Sequence, residues 1–150
     1  MTTVLAVTRE DTQNAGKSLA RRLRAGDVIL LSGRMGAGKS EFARGVARGL
    51  GISGPVPSPS FTILNAYDEG RIPLYHFDWY RIHDPDEIGE MGFEEQLHGD
   101  GASLIEWSEQ APDYVPARAL AVSILAVDEE TRKITVEPLG GFPFREEQLL

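Results

Sequence analysis

The 150-residue sequence predicts a single α/β domain spanning 1–150: a mainly parallel sheet flanked by helices, with antiparallel hairpins. Three observations point there. Val28-Ile29-Leu30-Leu31 is an unbroken aliphatic run, as a strand covered on both faces requires. Stretches with apolar residues three and four apart stand on either side of it. Further along, two pairs of strand-like runs are each joined by a short turn-forming segment, 68–71 and 128–131.

In order, Val4–Val7 reads as a first strand. From Asp11 the period changes, and Ala15, Leu19, Ala20 and Leu23 mark an amphipathic helix, capped by Thr8 or Asp11 and stopped by Gly26 after Arg24. The buried-type strand Val28–Leu31 follows. A second helix runs from about Lys39 to Leu50, with Phe42, Val46, Ala47 and Leu50 on one side and Gly51 at its end. Three prolines in 51–60 remove amide donors, so that segment is a loop, long enough to suggest a functional role. Phe61–Tyr67 and Ile72–Phe77 form the first hairpin. Asp84–Met91 reads as a helix capped by Asp84 or Asp86, and Ser103-Leu104-Ile105 as a strand ending on Glu106. Ala119–Val127 and Lys133–Glu137 form the second hairpin, and 140–150 carries no strong pattern.

With 15 basic against 23 acidic side chains the net charge is −8, which repels a phosphate backbone unless cations cluster. The visible cluster, Arg21, Arg22 and Arg24 near Lys17, reads as the solvated face of a helix, with a nucleic-acid patch as the alternative. The absence of cysteine excludes a disulfide scaffold, a thiolate metal site and a cysteine nucleophile. The longest apolar run, Ala119–Val127, is nine residues, against roughly 20 for a bilayer span. The first residues lack the basic start and long apolar core of a signal peptide. A soluble, cytoplasmic protein without membrane partners is expected.

Gly33-Arg34-Met35-Gly36-Ala37-Gly38-Lys39-Ser40 fits G-x-x-x-x-G-K-[ST], the phosphate-binding loop, and makes the fold class the P-loop NTPase type. A backbone curled round a phosphate turns its amides inward at angles that disfavour a Cβ, and Gly33, Gly36 and Gly38 supply that freedom. Lys39 brings a cation to the β- and γ-phosphates of a nucleotide such as ATP. The Ser40 hydroxyl can ligate Mg²⁺, and the following helix aims its positive end at the anion. The strand before the loop and the helix after it are the context the motif demands.

Phosphoryl chemistry also needs a carboxylate near the metal and a group to orient the nucleophile. Ligands of open α/β sheets sit at the carboxyl ends of strands, where Asp78 and Glu106 stand. Either can hold the metal, and their spacing does not rank them. His76 reads as a packed strand histidine, with proton carrier as the alternative. Trp79, Tyr80 and Trp107 read as core edge, with contact to a base or a partner as the alternative.

Five blocks occur in order: the loop, Ser58-Pro59-Ser60-Phe61-Thr62, His76-Phe77-Asp78-Trp79-Tyr80-Arg81, Asp84-Pro85-Asp86-Glu87 with Met91-Gly92, and Leu104-Ile105-Glu106-Trp107. Together they resemble the TsaE (YjeE) family, small bacterial P-loop ATPases needed to make threonylcarbamoyladenosine in tRNA. The resemblance runs from about residue 9 to 107. It implies that Gly36, Ala37, Gly38, Lys39, Ser40 and Glu41 wrap the ATP phosphates, and that Ser40 and Glu106 hold Mg²⁺. Asp78 would orient the attacking water, and 58–62 would be a switch-like loop. Arg9, placed by counting back from the loop, would touch the adenosine end. The family usually has Asp-Leu at Arg34-Met35 and a second Thr at Glu41, so Arg34 adds a cation and Glu41 an anion near the phosphates. The resemblance further implies action with a TsaB–TsaD complex, reset by ATP hydrolysis, with tRNA met only through those partners. Two other readings of the loop stay open: a small-molecule kinase, and a binding switch without useful turnover.

Overall fold

A computed structural model describes residues 1–149. Its order is β1 (Thr2–Ala6), α1 (Arg9–Ala20), β2 (Val28–Ser32), α2 (Lys39–Gly49), β3 (Leu64–Tyr67), β4 (Leu74–Asp78), α3 (Asp86–Glu90), α4 (Glu94–Leu97), β5 (Ala102–Glu106), β6 (Ala119–Ala126) and β7 (Arg132–Leu139). The seven strands form one sheet in the order β1-β7-β6-β2-β5-β4-β3. The central four, β6, β2, β5 and β4, are parallel, and the hairpins β3–β4 and β6–β7 add antiparallel pairs. β1 closes the far edge against β7.

Alternate residues of the buried strands serve opposite cores. Ile29, Leu31, Leu104 and Val122 pack with Leu19 of α1 and with Phe42 and Val46 of α2. Val28, Phe77 and Ile105 pack with Ile88, Leu97 and Trp79 on the other face. Helices α1 and α2 approach so closely that a Cβ on Gly45 would lie 1.9 Å from the Gln13 carbonyl oxygen, and one on Gly16 2.4 Å from that of Phe42. Glycine is what lets these two backbones meet.

The α1 cap is reciprocal: Asp11 N–H donates to the Thr8 hydroxyl, and Thr8 N–H donates to the Asp11 carboxylate. Thr8 is therefore the cap and Asp11 its partner three positions on. The helix ends at Ala20 rather than Arg24, yielding to tight turns in which Leu23 N–H donates to Ala20. β3 begins three residues later than the apolar run suggested, because Ile63 takes φ +68° and breaks the extended chain. The short helix expected over 84–91 covers Asp86–Glu90, and α4 follows it unforeseen. β7 runs on through Pro138 to Leu139, beyond the reach of β1, where a missing donor on that side costs no pairing. The patternless tail packs after all, with Phe142 and Leu149 in the α1–α2 core.

Candidate functional site

The loop 33–38 leaves the carboxyl end of β2 and becomes α2 at Lys39. Gly38, its last residue, has φ +105°, and no side chain caps the helix it precedes. The first amides of α2 thus lack a side-chain acceptor, the arrangement that suits an anion. Gly36, Gly38, Lys39, Ser40 and Glu41 line a cleft of about 410 Å³ together with Arg9. Gly33 and Ala37 do not line it. A Cβ on Gly33 would lie 2.7 Å from the Ile124 carbonyl, while Ala37 is buried and its N–H donates to Arg34 O.

Strand register delivers the two acids to the same cleft. Glu106 pairs with Leu31 of β2 on one side and with Asp78 of β4 on the other. Directly paired residues share a sheet face, here the α1–α2 face, so both carboxylates meet the start of α2. Both are buried, at 6% exposure, an expensive place for charge unless it is paired. Glu106 Oε2 lies 2.8 Å from His76 Nε2, and Oε1 lies 3.5 Å from Lys39 Nζ. Burial pushes the Glu106 carboxyl up, but the His76 bond and charge and the Lys39 charge outweigh it, leaving the group below its usual value. Asp78 accepts from Tyr80 N–H at 2.9 Å.

His76 is the first group the sequence undervalued. It is 2% exposed, as a packed strand histidine would be, yet its ring is anchored on the candidate metal carboxylate. Residues 76 and 78 share one face of β4, a period-two signal that could have linked them. Arg132 is the second. It opens β7, 96 residues from Gly36 in sequence, and its guanidinium donates to the carbonyls of Asp128 and Thr131 and reaches Gly36 O at 3.5 Å. No motif marks it.

Of the aromatics, Trp79 is fully buried core, whereas Trp107 lines the cleft, with Lys39 Nζ 5.2 Å from its ring centroid. Tyr80 leans on Trp107 with centroids 4.8 Å apart. Trp107 and Ile63 are the two non-glycine residues with positive φ among those described, and each adjoins the acids. Trp107 follows Glu106, and the Ile63 carbonyl accepts from Asp78 N–H at 2.8 Å. Backbone strain of this kind gathers at functional sites.

Two sequence departures resolve in the geometry. Arg34 is exposed and does not line the cleft. The Glu41 carboxylate is taken by Gln13 of α1 and by Arg44 at 2.9 Å, so its charge is matched before it meets a phosphate. Ser58 and Ser60 of the proline-rich loop line the cleft, their hydroxyls 2.8 Å apart. Among the described residues no three His, Cys, Asp or Glu converge to hold a metal. Ser40, Glu106 and Asp78 offer hard oxygen donors, a set that suits Mg²⁺ completed by waters and phosphate oxygens rather than an all-protein cage.

A family model described as "Threonylcarbamoyl adenosine biosynthesis protein TsaE" matches residues 6–134. The Bacillus subtilis tRNA threonylcarbamoyladenosine biosynthesis protein TsaE is 40% identical over 135 residues, covering 90% of this chain and 84% of its own. The Nostoc protein of the same name is 42% identical over 144 residues, covering 93% and 88%. The crystal structure of Bacillus subtilis YdiB aligns with a TM-score of 0.80 at 36% identity, over 93% of this chain and 86% of that one. A match of this breadth, over a sheet that carries the phosphate-loop motif at the carboxyl end of β2, means that the chain belongs to the TsaE family.

Proposed function

We propose that this protein is a Mg²⁺-dependent ATPase that serves threonylcarbamoyladenosine modification of tRNA by acting on a TsaB–TsaD complex. Its hydrolysis of ATP resets that complex between rounds, and tRNA is met through the partners. The observation that carries the reading is the convergence of Lys39, Ser40, Asp78 and Glu106 on one cleft at the end of the glycine-rich loop. Family membership adds the pathway.

Each group has a task that its position suits. Loop amides and Lys39 hold the phosphates, and Arg9 reaches toward the nucleoside end. Ser40 and Glu106 would hold Mg²⁺, which would supply neutralisation of the phosphate charge. His76 fixes the Glu106 carboxylate, leaving Asp78 to orient a water toward the γ-phosphorus. Product formation follows as in-line displacement: the water oxygen bonds to phosphorus and its proton passes to solvent, the bond to the ADP oxygen breaks, and phosphate departs. No helix among the described residues is long and apolar enough to cross a membrane, and we place the reaction in the cytoplasm, where ATP and tRNA are.

A kinase of this loop class brings several arginines over the phosphates. Here Arg9 and Arg132 line the cleft, while Arg118 and Arg145 line another one. The test is phosphate release from Mg-ATP by the purified chain, alone and with TsaB, TsaD and tRNA. Release with water as the acceptor, raised by the partners, is expected. Phosphate transferred to an added acceptor would establish the kinase, and partner binding without any release would establish the switch.

A further inference from the structure

At the opposite end of the parallel strands, where β2 and β6 begin, lies a second and larger cleft of about 640 Å³. The length of β2, roughly 15 Å, separates it from the phosphate loop. Its floor is apolar, with Leu23, Leu120, Phe142 and Phe144. Its rim carries four guanidinium groups, Arg22, Arg24, Arg118 and Arg145, against one carboxylate, Asp27. The local balance is therefore 4 − 1 = +3 in a chain whose net charge is −8.

The one acid is already engaged. Asp27 accepts from Arg24 N–H at 2.8 Å and from the Arg118 guanidinium at 3.2 Å. Among the described residues Arg22, Arg24 and Arg145 form no ion pair. The Arg118 guanidinium carbon sits 5.0 Å from the Phe142 ring centroid, so a planar cation and an aromatic ring already stack at the cleft wall. The run Arg21, Arg22 and Arg24 is thus not simply a solvated helix face, because two of its members turn into a concave site.

Four forked donors gathered round a hollow repel one another unless an anion joins them, and guanidinium geometry matches phosphate in two-pronged fashion. An aromatic and aliphatic floor suits a flat apolar body, and the volume lies in the range of small-molecule sites. We propose that this cleft is a second binding site for a phosphorylated nucleoside, with the phosphate on the arginine rim and the base against Phe142 and Phe144. The shared chemistry has two sources, a free nucleotide or a nucleotide unit of an RNA strand. The site does not depend on the reading of the phosphate loop.

The experiment is amide NMR of the ¹⁵N-labelled chain titrated with cytidine monophosphate, and separately with a short oligouridylate. The expected result is saturable shifts at Asp27, Leu120, Phe142 and Arg145, separate from those of the 36–40 loop. A response to the mononucleotide assigns the site to free nucleotides, and a response to the oligonucleotide alone assigns it to RNA. The double variant Arg22→Glu, Arg145→Glu, which removes no ion pair, should weaken that binding about tenfold or more while loop shifts with Mg-ATP persist. Three results would overturn the proposal: silence with both probes, inorganic phosphate binding as tightly as cytidine monophosphate, or an oligoglutamate peptide binding where neither nucleotide probe does.

Discussion

The ammonium of Lys39 and the carboxylate of Glu106 face each other at 3.5 Å, the first from the loop that follows β2 and the second from the end of β5. Parallel pairing sets this geometry, since Glu106 stands in register with Leu31, just before the loop. The loop cation is therefore held by the same acid that we propose as a metal ligand. On the proposed reading, a nucleotide that drew Lys39 toward its phosphates would leave Glu106 available to Mg²⁺.

Replacing Lys39 by Ala removes the cation and leaves the cradle. Loss of charged hydrogen bonds to phosphate is expected to weaken Mg-ATP binding about a hundredfold by calorimetry. Unchanged affinity would remove the loop from the nucleotide reading.

Glu106 makes stability depend on acidity in a defined direction. Its carboxyl lies below the usual value of 4.5, because the His76 bond and charge and the Lys39 charge prevail over burial. A group lowered on folding stabilises the fold above its unfolded value, and that contribution fades as pH falls through the folded one. Thermal melts of the native chain and of Glu106→Gln should therefore differ most above pH 4.5 and converge below it. A gap that widens in acid would contradict the assignment.

His76→Ala should lower kcat about tenfold or more with little change in KM for ATP, since the ring positions Glu106 rather than touching nucleotide. His76→Gln, which can donate from a similar place, should recover part of the loss. Equal effects on kcat and KM would mean that the histidine only packs.

Arg132→Ala tests the hairpin's role at the loop. Its guanidinium joins the Asp128 and Thr131 carbonyls to Gly36, so its loss should weaken nucleotide binding about tenfold. Unaltered binding would leave Arg132 as a strut of its own turn.

Gly45→Ala addresses the helix pair beneath the site. The added Cβ would lie 1.9 Å from the Gln13 carbonyl, so α1 must move away from α2. Destabilisation of about 1–3 kcal/mol in urea is expected despite the better helix propensity of alanine. A more stable variant would show that the contact yields cheaply.

Features written in consecutive residues were legible. The run Val28–Leu31, the glycine loop, the start of α2 at Lys39 and both hairpins follow from apolar period, turn chemistry and motif, which act over a few positions. Boundaries failed where a single backbone angle decided them. The Ile63 φ of +68° trims β3, and nothing in the identity of a β-branched residue announces such an angle. Nothing in the sequence marks the packing of Leu149 and Phe142, because a lone apolar residue in a tail has no period to read.

Of the site, local sequence pattern was enough for the loop, its cation and hydroxyl, and the two acids at strand ends. Whether Asp78 and Glu106 meet, which other groups join them, and where the arginines gather was decided by the strand order. β5 inserts between β2 and β4, and β7 returns along β6, so Glu106 reaches Lys39 with His76 bonded to it, and Arg132 reaches Gly36, from distant parts of the chain. The physical reason is range. Local pattern sets the faces of each element, whereas proximity between elements comes from sheet pairing and the close α1–α2 contact, neither of which any short segment encodes.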